Sequence, residues 1–329
     1  MTLMAQSLAF AVAALCAATM GFAIQRGATC TVAAVEEVID GRGVRRLAAL
    51  VEASVWVAVG LLVAHRLGWL AQLPQGYALG AWTIVGAVLL GLGAFTARAC
   101  VFGAIARLGS GDWAYAATPL GFYLGCLSLP ALFAPAPARA LASGTVLPGA
   151  PAALVWAGAG VLVWRTGTAL ALLWRRGAAW SPHLATIVIG LTFLTMLVLA
   201  GAWAYTDVLA ELARGMARGI GARLVLLACL LLGAIGGGWS AGRLRFTPPR
   251  AAMLARCLVG GALMGWGSLL IPGGNDGLVL VGMPMFWPYA WAAFATMCVS
   301  IGAAQVFGRR LERRSPRHAT RRVRALPPQ

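Results

Sequence analysis

Apolar residues run through the chain in long unbroken stretches, and nearly all of its charge sits in the short segments between them. A helix rising 1.5 Å per residue needs roughly 20 such residues to cross about 30 Å of hydrocarbon. Nine stretches meet that length and predict spans over residues 4–24, 47–65, 77–97, 116–134, 150–174, 183–204, 222–241, 252–270 and 286–308. The predicted fold is therefore all-α and integral to a membrane.

Other apolar pieces are too short to cross. From Ala99 to Leu108, between two full spans, there are only about ten helix-competent residues, roughly 15 Å of helix. They start at Cys100 and end in the turn cluster Gly109-Ser110-Gly111-Asp112, which is turn chemistry by composition. An analogous piece, Thr31–Val38, follows Gln25-Arg26-Gly27-Ala28-Thr29-Cys30 and ends at Asp40-Gly41-Arg42-Gly43. Both patterns predict re-entrant half-helices, which a membrane tolerates only where protein or a water-filled cavity satisfies the backbone.

The spacing repeats. Gly21 precedes Cys30 by nine residues, Gly91 precedes Cys100 by nine, and Gly265 precedes Gly274 by nine. A weaker match, Gly190–Leu199, leads into Gly201-Ala202-Trp203-Ala204-Tyr205-Thr206-Asp207. Two pseudo-symmetric halves, about 1–145 and 150–308, follow from this, and the odd span between them predicts an inverted relation. Together they form a single transmembrane domain, 1–308, with a transport pathway at the interface of the halves.

Composition agrees: 60% of residues are hydrophobic and 11% charged, with a mean hydropathy of +0.82. All 26 basic residues are arginine, against nine acids, giving a net charge of +17. These arginines flank the spans, so they act as topology signals and anionic-headgroup contacts rather than as a nucleic-acid surface. Their alternation places the N-terminus outside and the Arg-rich tail, 309–329, in the cytoplasm, where it is expected to be disordered. The first residues have no basic n-region and predict a first span rather than a cleaved signal.

Conventional catalytic sets are missing. The seven cysteines form no CxxC and no Cys/His pairing at metal spacing, which argues against a zinc centre, a thioredoxin-like dithiol or any cofactor. His65, His183 and His318 are poorly placed for acid–base work. Glu36 and Glu37 pair locally with Arg42, Arg45 or Arg46, and Glu52, inside the second span, is the better candidate for a functional acid. The sequence is thus not read as an enzyme.

Cys30 and Cys100 stand out because each follows a small-residue turn and opens a short helix. Cys298, in the last span, is a third candidate, whereas Cys16, Cys126, Cys229 and Cys257 are read as packing residues. Helix starts carry unpaired N–H groups and a positive dipole end, which suits an anion. A neutral thiol is a weak donor, so thiols in series could pass a sulfur-containing anion without trapping it. Arg26 and Gly27 before Cys30, and Gly273, Gly274, Asn275 and Asp276 at the second-half counterpart, are further pathway or turn candidates. Asn275 and Asp276 are placed to cap a short helix over Gly277–Val281.

The stretches Gly21–Glu36 (GFAIQRGATCTVAAVE), Arg98–Gly125 (RACVFGAIARLGSGDWAYAATPLGFYLG) and Leu270–Pro284 (LIPGGNDGLVLVGMP) resemble the YeeE/YedE family of sulfur-compound transporters. The resemblance implies a bacterial inner-membrane protein with nine spans, short re-entrant helices and thiosulfate uptake. It also implies Cys100 as central relay thiol, Cys30 beside it, Cys298 in the final span, and a cytoplasmic TusA-like sulfur-carrier partner. Some members handle selenium compounds, which leaves the cargo open. From a different class, a membrane thiol-disulfide oxidoreductase is the alternative.

Overall fold

The computed structural model describes residues 3–70, 74–133, 139–141, 149–176, 180–201, 203–215, 220–271 and 273–314. Nine helices among these residues are long and apolar enough to cross a membrane, and no strand is formed by them. The chain is an all-α integral membrane protein.

Its elements follow one rhythm, long helix, short helix, long helix, repeated four times. The first half holds α1 (Leu3–Gly27), α2 (Thr31–Ile39), α3 (Arg45–Arg66), α4 (Ala81–Ala97), α5 (Val101–Gly109) and α6 (Ala117–Leu132), with a 3-10 turn at Trp113–Ala116 before α6. The connecting span α7 (Ala152–Arg176) comes next. The second half holds α8 (Pro182–Ala200), α9 (Tyr205–Ala213), α10 (Ile220–Ser240), α11 (Ala251–Leu270), α12 (Asn275–Gly277) and α13 (Pro288–Arg314). A π-helical turn, Leu278–Gly282, extends α12.

The halves are related by inversion, and the contacts show it directly. In α1 against α8, Gly27 meets Ala185 while Cys16 meets Thr195, so the two first helices run antiparallel. In α4 against α11, Gly86 meets Gly267 and Gly93 meets Gly260, again antiparallel. Exchanging α1–α6 for α8–α13 maps the α1–α10 packing onto α8–α3 and the α4–α13 packing onto α11–α6.

Glycines make these seams possible. A Cβ on Gly260 would stand 2.6 Å from the Gly93 carbonyl and 2.7 Å from the Ala97 nitrogen. Between helices in lipid, such close backbone approach replaces the missing hydrophobic drive with dispersion contacts. The sequence therefore concentrates glycine on α11 where it meets α4 and α6.

Some expectations shift. The last helix runs to Arg314 rather than ending near 308, because Arg309 on its final turns pairs with Glu36 and Asp40 at the far end of α2. Residues 315–329 of the Arg-rich tail lie outside the described residues. The helix expected over Gly277–Val281 starts earlier, at Asn275, and Gly274 occupies the N-cap. The Asp276 side chain is drawn to α9 instead, where Thr206 supplies a hydroxyl and an N–H.

Candidate functional site

Short helices need something beyond local propensity, since nine residues fall below the length at which an isolated helix holds in water. Here each is fixed by its neighbours. Cys30 is the N-cap of α2 and Cys100 the N-cap of α5, both in extended conformation. Their first turns interlock. The Thr31 N–H donates to Cys100 Sγ at 3.2 Å. Cys30, in turn, seats its sulfur in the notch left by Gly103, where a Cβ would stand only 2.5 Å from Sγ. The two thiols are within hydrogen-bonding reach of each other. Cys100 is fully buried, whereas Cys30 is half-buried and faces a cavity.

The second-half counterparts of these two N-caps are Ala204 and Gly274, which carry no polar side chain. The tie there is made one turn in. Thr206 donates its N–H to Asp276 Oδ2 at 3.3 Å and its hydroxyl to Oδ1, which also accepts the Gly277 N–H at 3.1 Å. Gly274 lies against Thr206 so closely that a Cβ would collide with the hydroxyl. Its neighbour Gly273 adopts φ +106°, a backbone state that favours glycine.

All four short helices then join. Asn275 Nδ2 donates to Thr31 Oγ1 at 3.5 Å, and the Tyr205 hydroxyl donates to the Val101 carbonyl at 3.1 Å. The four N-termini thus meet around Cys30, Cys100, Thr206 and Asp276. The sulfurs of Cys30 and Cys100 accept N–H groups at the start of their own helix and of each other's, whereas at Ala204 and Gly274 no side chain caps its own helix. Buried polar atoms also lack partners among the described residues here: Gln25 Oε1, Thr29 Oγ1 and Asn275 Oδ1. Amide ends are interchangeable by rotation, so Gln25 and Asn275 can present donors as readily as acceptors.

A cavity opens on each side of this junction. One, about 500 Å³, reaches Cys30 and Gly103 and is rimmed by Arg46, Arg98, Arg107, Arg243 and Arg245 against Glu36 and Asp112. The other, about 650 Å³, reaches Thr206, Gly274 and Gly277 and carries Asp207, Glu211, Arg214 and Arg223. Arg223 pairs with Glu211. The first cavity concentrates positive charge and so attracts anions; the second is mixed in sign. Cys100 sits behind Cys30 and touches the junction rather than either wall.

The remaining candidates fall as follows. Arg26 is buried over the Phe22 ring, 5.9 Å from its centroid, and Gly27 packs against Ala185 of α8; neither lines the two cavities. Cys298 lies half-buried on α13 and is also outside both cavity walls. Cys126 is buried in the α6–α11 seam, its Sγ 3.6 Å from the Gly265 carbonyl. Glu52 is held between His183 and Arg165, 3.5 Å from the latter's Nε, a clamp joining α3 to α7 and α8. Glu37 pairs with Arg46 at 3.7 Å, and Glu36 with Arg309 at 3.5 Å.

Sequence reasoning missed Gly103, Gln25, Tyr205 and Thr206. Gly103 had a signal, because i and i+3 share a helix face and it follows Cys100 by three. Tyr205 and Thr206 were marked only by the weakest of the four repeats.

A comparison with curated proteins found no match. The family profile described as Sulphur transport matches residues 26–303, from the turn before Cys30 through all four short helices and into α13. The chain belongs to the sulphur transport family, YeeE/YedE.

Proposed function

We propose that this protein takes up thiosulfate, or a closely related small sulfur anion, across the bacterial inner membrane, and that Cys30 and Cys100 relay it. The observation that carries this reading is the pair of interlocked thiols placed between two cavities, with helix N-termini turned toward them. N–H groups and dipole ends favour negative charge without fixing a full counter-charge beside it. Thiols add weak donors that match a soft terminal sulfur. A guanidinium at the same point would hold a dianion far more strongly and slow its release.

The passage runs from the mixed-charge cavity, past Thr206, Asn275 and Gly274, to the thiols and out through the arginine-rimmed cavity. In this reading the short helices are re-entrant, the N-terminus lies outside and the arginine-rimmed mouth faces the cytoplasm. A TusA-like carrier would collect the sulfur there. Asn275 and Gly274 act as pathway residues, Asp276 and Gly273 shape the turn, and Arg26 and Gly27 set the approach to Cys30. Cys298 is retained as a secondary relay thiol on α13.

The test is growth of a sulfur-auxotrophic bacterial host on thiosulfate alone. Wild type should support growth and Cys100→Ala should not, with equal protein in the membrane. Normal growth of the variant would remove the relay.

A further inference from the structure

The thiol pair has a second chemistry, independent of hydrogen bonding. Cys30 is reached from a cavity of about 500 Å³, whereas Cys100 is fully buried behind it. The sulfurs lie within reach of each other across the first turns of α2 and α5, and Gly103 leaves Cys30 Sγ free of a Cβ that would otherwise stand 2.5 Å away. One accessible thiol with a second thiol directly behind it is the arrangement of an attacking and a resolving cysteine.

We propose that Cys30 and Cys100 form an oxidisable dithiol, closed to a disulfide by hydroperoxides arriving through the arginine-rimmed cavity, and that this disulfide shuts the passage. In the first step the Cys30 sulfur attacks one peroxide oxygen, the O–O bond breaks, a sulfenic acid forms and one water leaves. In the second step the Cys100 sulfur attacks the Cys30 sulfur, the S–O bond breaks, the S–S bond forms and a second water leaves. The balance is two thiols and one hydrogen peroxide to one disulfide and two waters; the sulfurs give up two electrons, which the peroxide oxygens accept. A reducing dithiol reverses it by exchange.

The effect on transport rests on the reading proposed above; the oxidation itself does not. The disulfide draws the sulfurs to about 2 Å, pulls the starts of α2 and α5 together and removes both S–H donors. Cys126 provides the contrast, since its neighbours are the Gly265 carbonyl and, at 4.0 Å, the Ser268 hydroxyl.

The experiment uses the purified full chain in proteoliposomes, treated with hydrogen peroxide, alkylated, digested and mapped by mass spectrometry, with uptake of labelled thiosulfate followed in parallel. The expected result is a Cys30–Cys100 cross-linked peptide, a fall in uptake of roughly tenfold or more as the donors are lost, and recovery with dithiothreitol. Cys126→Ala should respond as wild type does. In Cys100→Ser, dimedone should trap Cys30 as its sulfenic acid. Recovery of Cys30 and Cys100 as separate alkylated thiols, or paired with other cysteines, would overturn the proposal, as would a cross-linked protein that still transports. If the reduced protein takes up no thiosulfate, the functional reading fails, and the peptide map alone then decides the dithiol.

Discussion

Gly103 is the residue on which the thiol geometry turns. An alanine there would place its Cβ 2.5 Å from Cys30 Sγ and 3.1 Å from Cys30 Cβ, so the thiol must move while the backbone of α5 need not. Gly103→Ala should therefore fold and reach the membrane but lose roughly tenfold in uptake, the effect of misplacing one donor to a charged group. Combined with Cys30→Ala it should add nothing, because both changes act through one sulfur. Additive losses in labelled uptake would place Gly103 outside the thiol's neighbourhood. Cys126→Ala makes the opposite case. Its thiol fills the α6–α11 seam, so truncation should lower stability by about 1 kcal/mol and leave uptake near wild type. A strong uptake loss there, with stability preserved, would mean that the wrong cysteines had been chosen.

At the scale of elements, α2 is held along its length by α13. Gln305 Nε2 donates to the Val32 carbonyl at 3.4 Å, and Arg309 pairs with Glu36 at 3.5 Å and Asp40 at 2.6 Å. The last span thus fixes the orientation of the short helix that carries Cys30. Both Arg309 pairs are partly exposed, so they contribute little to overall stability. Arg309→Ala should therefore lower uptake severalfold with little change in thermal stability, and Arg309→Lys should restore part of it. An unchanged uptake rate would show that α2 needs no such clamp. Bonding to Arg309, helped by Arg42, holds the Asp40 carboxyl below its ordinary range. A depressed carboxylate pKa means the clamp is complete above the ordinary value of about 4 and fails only as pH falls below it. Uptake limited by this clamp should be flat between about pH 6 and 8.

These elements were legible to different degrees. Spans and the first two short helices stood out because apolar run length and turn residues are local signals. The start of α12 was misjudged because Asn275 and Asp276 are good N-cap residues, and only the distant Thr206 shows why Asp276 turns away. Glu52 showed itself as an acid within a span, but its partners, Arg165 and His183, lie more than a hundred positions along the chain. Cys30 and Cys100 were singled out by their repeated setting, and only the family resemblance set them side by side; the interlock of their first turns was not legible, since it requires the interhelical fit at Gly103.

The whole molecule is an inverted pair of halves whose four short helices meet between two cavities of unlike charge. Arginine accumulates on one side: Arg46, Arg98, Arg107, Arg243 and Arg245 share a rim, and Arg309 stands at the same end of α2. In the topology proposed above, which follows the positive-inside rule, that side faces the cytoplasm. A green fluorescent protein fused after residue 329 should fluoresce in a bacterial host, and alkaline phosphatase fused there should be inactive. The reverse result would invert the topology and with it the proposed direction of uptake. The repeats are weak in sequence because, although the helices correspond, the two ties between short helices use different chemistry, thiols in one half and a Thr–Asp pair in the other.

The central claim is that the buried thiol at the junction carries the anion. Its most direct test is the initial rate of labelled thiosulfate uptake into membrane vesicles containing Cys100→Ala, normalised to protein amount and set beside wild type and Cys126→Ala. The account predicts background uptake for Cys100→Ala and near-wild-type uptake for Cys126→Ala; a Cys100→Ala rate close to wild type would contradict it.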